Sequence, residues 1–220
     1  MEFGLAFTYP FQDQDWLKKI GIAGLLMIIP IVGQIIVLGW ALEIVRRVIR
    51  RDPNPLPEWS DFGRYLMDGL MLFVVVFVYS LPLTIISGVS QALPIIAMQG
   101  STDEQTIATI ITVVSVCVGC FSLGYGILLG LVLPAVGGNF AVKGKLGAAF
   151  AIGEIINLIK AAPGAYAFCL LGSLVAGIVS GLGVIACCIG VLFTAAYSMT
   201  VQAHLWGQAY NVATGSAVAQ

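Results

Sequence analysis

Apolar residues run along the chain in long blocks that charged residues seldom interrupt. The uncharged blocks are 20–42, 69–102, 105–142, 146–153 and 161–220. A helix needs about 20 apolar residues to cross about 30 Å of hydrocarbon. The pattern therefore predicts four full membrane crossings, with a tight turn near Gly181 and Gly183 between the last two. These crossings are predicted at 69–90, 106–133, 165–183 and 185–210.

The first apolar block, 20–42, has two interpretations. A break at Pro30 and Gly33 gives a helical hairpin over 20–50, because proline removes a backbone donor and glycine permits a tight reversal. The hairpin keeps the two lysines before the block on the same side as the arginines after it. A proline-kinked helix is also tolerated in membranes and would make five crossings in all. The sequence thus predicts an N-terminal hairpin or kinked helix.

Basic residues indicate the orientation, because cytoplasmic loops carry the excess of Lys and Arg. The connection 100–105 has none. The flanking connections carry Arg46, Arg47, Arg50, Arg51 and Arg64 on one side of it, and Lys143, Lys145 and Lys160 on the other. This alternation predicts a multi-pass membrane protein with a cytoplasmic C-terminus.

Two segments on the predicted cytoplasmic side suggest helices that lie along the membrane. Residues 52–67 combine a proline-rich turn with an amphipathic stretch, and residues 146–160 have an amphipathic helical period. The predicted fold class is therefore all-α. It is a polytopic transmembrane helical bundle that forms a single membrane domain over 1–220.

Composition supports this class and excludes others. The chain is 59% hydrophobic and 10% charged, with a mean hydropathy of +1.00. Soluble domains are roughly 45–50% apolar and about 25% charged. A net charge of −1 gives no reason to expect nucleic acid as a partner. The lipid bilayer is the first expected partner.

Candidate chemistry is sparse. His204, the only histidine, shares a helix face with Gln208, so it is either a cofactor ligand or a hydrogen-bonding side chain between helices. Asp68 and Glu154 stand beside apolar segments, where a cation site or simple helix-dipole stabilisation would suit a carboxylate. The pair Cys117 and Cys120 is half of a metal site at most. We predict no catalytic residue, no metal and no cofactor, and thus no enzyme.

Two other sets of residues have predicted roles. Small residues four apart indicate close helix packing, and arginines with a tryptophan at a membrane boundary indicate topology and headgroup anchors. The packing set is Gly119, Gly126, Gly130, Gly177 and Gly181. The anchor set is Arg46, Arg47, Arg50, Arg51 and Trp59.

Several short elements resemble an uncharacterised family of prokaryotic multi-pass membrane proteins, a domain of unknown function. The most specific element is Leu56-Pro57-Glu58-Trp59. The others are Asp15-Trp16-Leu17-Lys18-Lys19, Pro30-Ile31-Val32-Gly33, Asp68-Gly69-Leu70, Gly153-Glu154-Ile155 and Gly207-Gln208-Ala209-Tyr210. The resemblance implies several membrane helices and no known activity, and it assigns no functional residue.

The absence of a ligand constellation and the small-residue faces favour an accessory, scaffolding or assembly subunit of a larger membrane protein complex. Its partners would be other membrane subunits or further copies of itself. The alternative is a small transporter or lipid-handling protein, because proline–glycine breaks and a few polar residues interrupt the apolar blocks.

Overall fold

A computed structural model describes residues 2–99 and 103–215, without the side chains of 93, 94, 96–99 and 186–189. Within these ranges the chain forms nine α-helices, two short 3-10 helices and no strand. The first three residues of the connection 100–105 lie outside the described part. The helices are α1 (Phe3–Thr8), α2 (Trp16–Met27), α3 (Val32–Arg50), α4 (Phe62–Gln99), α5 (Glu104–Lys143), α6 (Leu146–Ala149), α7 (Ile152–Ala161), α8 (Pro163–Leu182) and α9 (Cys187–Ala213).

The chain divides into two compact units. Unit 1 comprises residues 1–75 and 130–220, and unit 2 comprises residues 76–129. In unit 1, α9 is the central helix and packs against α1, α2, α3, α7 and α8. The largest side chains buried in this unit are Trp40, Phe140, Tyr166, Ile20, Leu42, Ile44, Leu56 and Leu205.

The first apolar block forms two helices, α2 and α3, and not one continuous helix. The Val32 N–H donates to the Pro30 carbonyl at 2.8 Å across Ile31, whose φ of 66° and ψ of −67° are those of a classic γ-turn. The two helices pack against each other. Lys19 near the start of α2 and Arg47 near the end of α3 both donate to the Leu56 carbonyl. The helices are therefore antiparallel, with their outer ends together.

Two glycines allow α3 and α4 to touch through their backbones. A methyl group at Gly39 would collide with the Tyr65 carbonyl, and one at Gly69 would collide with the Ile35 carbonyl. The obstacles are backbone atoms, which cannot rotate away as the end of a flexible side chain can. Close approach at this crossing fixes the position of the first part of α4 against α3.

The long helices extend beyond the segments predicted from the sequence. The second crossing, 106–133, was expected to end before Pro134, yet α5 continues through Pro134 to Lys143. Residues 134–141 are all buried in unit 1, so tertiary packing outweighs the helix-breaking tendency of this proline.

Both segments expected to lie along the membrane have a different local structure. Residues 52–61 are a loop, and Phe62 begins α4, so the amphipathic part of 52–67 is the first turn of a long helix. The segment 146–160 contains α6 and α7, which are interrupted at Phe150 and Ala151. Amphipathic periodicity identified the helical residues and missed these boundaries.

Three helices in the described residues are long and apolar enough to cross a membrane. They are Phe62–Ala92, Glu104–Lys143 and Pro163–Ile185. Only 17%, 0% and 22% of the most apolar stretch of each is buried inside the protein, so their apolar side chains need lipid or another protein as a neighbour. The predicted crossing 185–210 falls in α9, which is not among these three.

Unit 2 contains the distal part of α4 and the first part of α5. The Tyr125 hydroxyl donates to the Tyr79 carbonyl at 2.7 Å, which ties the two helices together. The hydroxyls of Ser80 and Thr84 bond to carbonyls of their own helix. This local bonding lets small polar side chains sit in an apolar segment at little cost.

We expect Gly39→Ala to lower the stability of the protein by about 1–3 kcal/mol, because the new methyl group must separate two packed backbones. Gly63→Ala on α4 is the matched control, since nothing lies within 4 Å of its added methyl group. This control should be neutral or stabilising by up to about 1 kcal/mol through helix propensity. Thermal unfolding in detergent measures both changes, and equal midpoints for the two variants would contradict the crossing.

Candidate functional site

The most polar part of unit 1 is built around residues 52–60, here called the proline loop. Its prolines at 53, 55 and 57 exclude helix and sheet over this segment, so no regular structure supplies donors to its carbonyls. Five consecutive carbonyls, of residues 54–58, instead accept hydrogen bonds from side chains. The donors are Arg47 to Asn54 (3.1 Å), Tyr9 to Pro55, Lys19 to Leu56 (3.1 Å), Trp40 to Pro57 (3.1 Å) and Tyr65 to Glu58 (2.7 Å).

Lys19 is the buried cation beneath the proline loop. Besides the Leu56 carbonyl, its ammonium group contacts Asp13 at 2.8 Å and Glu58 at 2.6 Å. Three acceptors match its three N–H donors, so burial leaves none of them unpaired. Asp13 in turn accepts from the backbone N–H groups of Asp15 and Leu56. The N-terminal segment is thereby joined to the loop.

Burial and pairing act in opposite directions on this ion pair. Burial by itself raises the pKa of Asp13, but hydrogen bonds from Lys19 and from two backbone N–H groups outweigh it and hold the pKa below its ordinary value of 3.8. Burial likewise lowers the pKa of Lys19, and the hydrogen bonds to Asp13 and Glu58 reverse this and raise it. Both groups are therefore charged at neutral pH.

Two tryptophans cover the same loop. The rings of Trp40 and Trp59 stack with centroids 5.0 Å apart and an angle of 13° between their planes. Trp59 also donates its indole N–H to the Lys19 carbonyl at 2.9 Å. Trp59 is half-buried, and its predicted role as a headgroup anchor stays a prediction.

A second network, here called the carboxylate network, lies between α3 and α4. Glu43 accepts from Arg50 at 2.8 Å and from Arg64 at 2.7 Å, and Asp68 pairs with Arg46. The carboxylates are the inner members, since the side chains of Glu43 and Asp68 are 8% and 12% exposed. Arg50 and Arg64 are 59% and 48% exposed and form the outer layer.

These networks contain contacts that the sequence did not predict. Asp13, Lys19, Glu43 and Asp68 are all buried. Arg46 and Arg47 bond inside the chain to Asp68 and to the proline loop, and their role as headgroup anchors stays a prediction. Arg50 and Arg51 are exposed at the end of α3. The missed signal was the spacing of Glu43, Arg46 and Arg50, which lie on one face of a helix.

His204 is buried against the N-terminal segment. Its ring packs on Tyr9 with centroids 4.1 Å apart and an angle of 36° between the ring planes, and its Nδ1 atom lies 3.3 Å from the Gln208 amide. Gln208 also accepts from the Glu2 N–H at 3.0 Å, which joins α9 to the start of the chain. The sequence paired His204 with Gln208 correctly on one face and gave no sign of Tyr9.

No group of three or more His, Cys, Asp or Glu side chains suited to a metal occurs in the described residues. Cys117 and Cys120 are exposed on α5, and Cys169 is buried with its thiol 3.3 Å from the Leu205 carbonyl. The side chains of Cys187 and Cys188 lie outside the described part.

The predicted packing glycines fall into two groups. Gly130 meets the side chain of Leu170, so this position packs inside unit 1. For the other four, an added methyl group would have no atom of the described chain within 4 Å, and their role in packing stays a prediction. They are Gly119, Gly126, Gly177 and Gly181. The backbone contacts of Gly39 and Gly69 between α3 and α4 were not predicted.

Long apolar helices with unburied faces, together with an internally paired polar cluster, define an all-helical membrane protein. The chain belongs to the family described as "Protein of unknown function (DUF4013)", whose sequence pattern matches residues 22–189. The match includes the proline loop and the carboxylate network, and it leaves out Tyr9, Lys19 and His204. Neither a curated protein nor a solved structure matches the chain.

We expect Tyr9→Phe to destabilise the protein by about 1–3 kcal/mol, because the buried Pro55 carbonyl would lose its hydrogen-bond donor. Tyr166→Phe is the matched control, since the buried Tyr166 hydroxyl has no hydrogen-bond partner in the described part of the chain. Denaturation in detergent should show a loss of stability for Tyr9→Phe and none for Tyr166→Phe. Similar losses from both variants would show that the hydroxyl contact to the loop contributes nothing specific.

Stability should also fall in acid through Asp13. Its pKa in the folded protein lies below the ordinary 3.8, so the charged carboxylate stabilises the fold above that pH. This contribution disappears as the pH falls through the folded-state pKa and the group is protonated. Unfolding midpoints measured against pH should therefore drop less steeply in acid for Asp13→Asn than for the natural protein. The exposed neighbour Asp15 provides the control Asp15→Asn, which should keep the natural slope.

Proposed function

We propose that this protein is an accessory, scaffolding or assembly subunit of a larger membrane protein complex and is not an enzyme. Its partners would be other membrane subunits or further copies of itself. The proposal rests on faces of α5 and α8 that are shaped for close helix packing and are left uncovered by the described chain.

The observation that carries the proposal is the exposure of Gly119, Gly126, Gly177 and Gly181. Glycine in a helix interior costs roughly 1 kcal/mol relative to alanine. Close packing against another helix offsets this cost in membranes, because small residues let backbones approach. Lipid chains alone would favour larger apolar residues at these places. A partner helix is the simplest reason for such residues on an outer face.

The polar cluster supports a structural role. Lys19 is matched donor for acceptor by the groups around it, and Glu43 is held by guanidinium groups. Such saturation stiffens the proline loop and the ends of α2, α3 and α4. A catalytic site would need a nucleophile–base pair or an open metal position, and the contacts of these residues serve the fold.

We also propose that α9 makes a fourth crossing and returns the C-terminus to the cytoplasmic side of a prokaryotic inner membrane. α8 and α9 pack against each other, and near the end of α9 Asn211 donates to the Val48 carbonyl at 3.1 Å. Val48 lies among the arginines at the end of α3. If α8 crosses the bilayer, α9 must cross back to reach this arginine-rich segment, which the positive-inside rule places in the cytoplasm.

A small transporter or lipid-handling protein is the second candidate. The observation that favours it is an open cleft lined by Arg46, Arg50, Arg64 and Lys143. Polar side chains expected to serve a pathway have other contacts. Gln91 bonds to its own helix, and His204 packs on Tyr9. We therefore rank this candidate below the subunit role.

Purification from native membranes in a mild detergent tests the subunit role. We expect stable co-purifying membrane proteins, or a defined oligomer of this chain, detected by mass spectrometry of the intact assembly. Gly126→Leu and Gly177→Leu should each reduce the partner recovered, because leucine holds the backbones apart.

Gly124→Leu is the control, since Gly124 has no neighbour within 4 Å and lies about 200° around the helix from Gly126. The control should retain its partner. A natural protein that purifies as a monomer without protein partners would overturn the subunit role, and so would equal losses from Gly124→Leu and Gly126→Leu.

A further inference from the structure

We infer that the cleft between the ends of α3, α4 and α5 binds the phosphate of an anionic phospholipid. The cleft has a volume of about 420 Å³ and is open to the outside. Its walls combine basic and apolar side chains with the backbone after α5. They comprise Arg46, Ile49, Arg50, Arg64, Ala141, Val142, Lys143 and Gly144. This inference does not depend on the presence of partner subunits.

The first argument is the layering of charge. Glu43 and Asp68 are buried behind the cleft, with side chains 8% and 12% exposed. The cations Arg50, Arg64 and Lys143 are 59%, 48% and 41% exposed. At Arg50 and Arg64 the guanidinium groups therefore form the outer layer and Glu43 the inner one. Lys143 differs, because its partner Glu154 is 51% exposed.

The second argument is the supply of hydrogen-bond donors. Arg50 donates through Nε and Nη2 to the Arg46 carbonyl and to Glu43, and Arg64 donates through Nη2 to Glu43. Neither Nη1 atom donates to any part of the described chain. The buried carboxylates thus hold two guanidinium groups in place while leaving N–H groups for an incoming anion. Phosphate oxygens suit such planar, oriented donors.

The third argument favours a lipid over a free anion. Val142 is 52% exposed and lines the cleft beside Lys143, and Ile49 lines it beside Arg50. An apolar wall contributes nothing to the binding of inorganic phosphate, whereas it can contact the acyl chains that a phospholipid has next to its phosphate. Val142 and Lys143 are the last two residues of a candidate membrane-crossing helix, so the cleft lies where that helix would reach the headgroup region. Basic pockets at this level recognise anionic headgroups.

Native mass spectrometry of the purified protein in a zwitterionic detergent tests the inference. The added lipids are phosphatidylglycerol and phosphatidylcholine, which have comparable acyl chains and differ in net charge. We expect phosphatidylglycerol to bind at least fivefold more tightly and to raise the thermal unfolding midpoint. In Lys143→Gln its affinity should fall about fivefold, the effect of removing one basic residue near an anionic lipid. Micelles are used because they have no anionic surface that would attract every basic residue alike.

Two further variants separate the cleft from general charge. Arg64→Lys keeps the positive charge beside Glu43 and removes the guanidinium fork, so it should weaken phosphatidylglycerol binding while the protein stays folded. Lys160→Gln removes one exposed charge outside the cleft and should leave binding unchanged. If Arg64→Lys fails to fold, Lys143→Gln carries the test, because Lys143 pairs with the half-exposed Glu154 and not with a buried group.

Three results would overturn the inference. The first is equal affinity for phosphatidylcholine. The second is an equal loss of affinity in Lys160→Gln, which would indicate attraction by net charge. The third is a stability gain from inorganic phosphate alone that matches the gain from phosphatidylglycerol, together with displacement of the lipid, which would assign the cleft to a free anion.

Discussion

The absence of N–H groups from three prolines within five residues is the constraint on which the rest of unit 1 depends. A buried carbonyl without a donor costs about 1–3 kcal/mol, and the proline loop has five consecutive carbonyls that regular structure does not pair. Their donors come from the N-terminal segment, α2, α3 and α4. The loop therefore organises four parts of the chain at once. The Leu-Pro-Glu-Trp element within it contributes three carbonyls, a carboxylate and an indole to the same set of contacts.

The charged residues of the carboxylate network position side chains on the surface of unit 1. A buried ion pair gains little net stability over well-packed apolar residues, because removing both charges from water is expensive. The carboxylate network therefore fixes the positions of the arginine side chains and adds little to the free energy of unfolding. Glu43 holds Arg50 and Arg64 at a set position between α3 and α4, and Asp68 holds Arg46 where its Nε can reach the Ala141 carbonyl on α5 at 3.1 Å. Inner carboxylates thereby decide how the outer cations are arranged.

The sequence was sufficient to predict helices, apolar spans and the break at Pro30, because each follows from composition over a short window. It was misleading at Pro134, where burial of the following residues, from Ala135 to Ala141, keeps α5 helical through the proline. It also missed the polar cluster. Charges between apolar blocks have the pattern of an exposed loop, and only the folded chain brings Asp13 to Lys19 and Arg64 to Glu43. Gly39 and Gly69 have no small residue four positions away, so the four-residue repeat did not identify them.

The contact between the first residues and α9 has a consequence for how the protein is made. Glu2 bonds to Gln208, and Tyr9 packs against His204. Every donor to the proline loop, in contrast, has been synthesised once the chain has reached Tyr65. During translation the loop can therefore close around the α2–α3 pair before α5, α8 and α9 have been made. The N-terminal segment is bonded to the loop through Tyr9, and its other face is covered only after α9 has been synthesised. The two faces of this short segment are therefore buried at separate stages of synthesis.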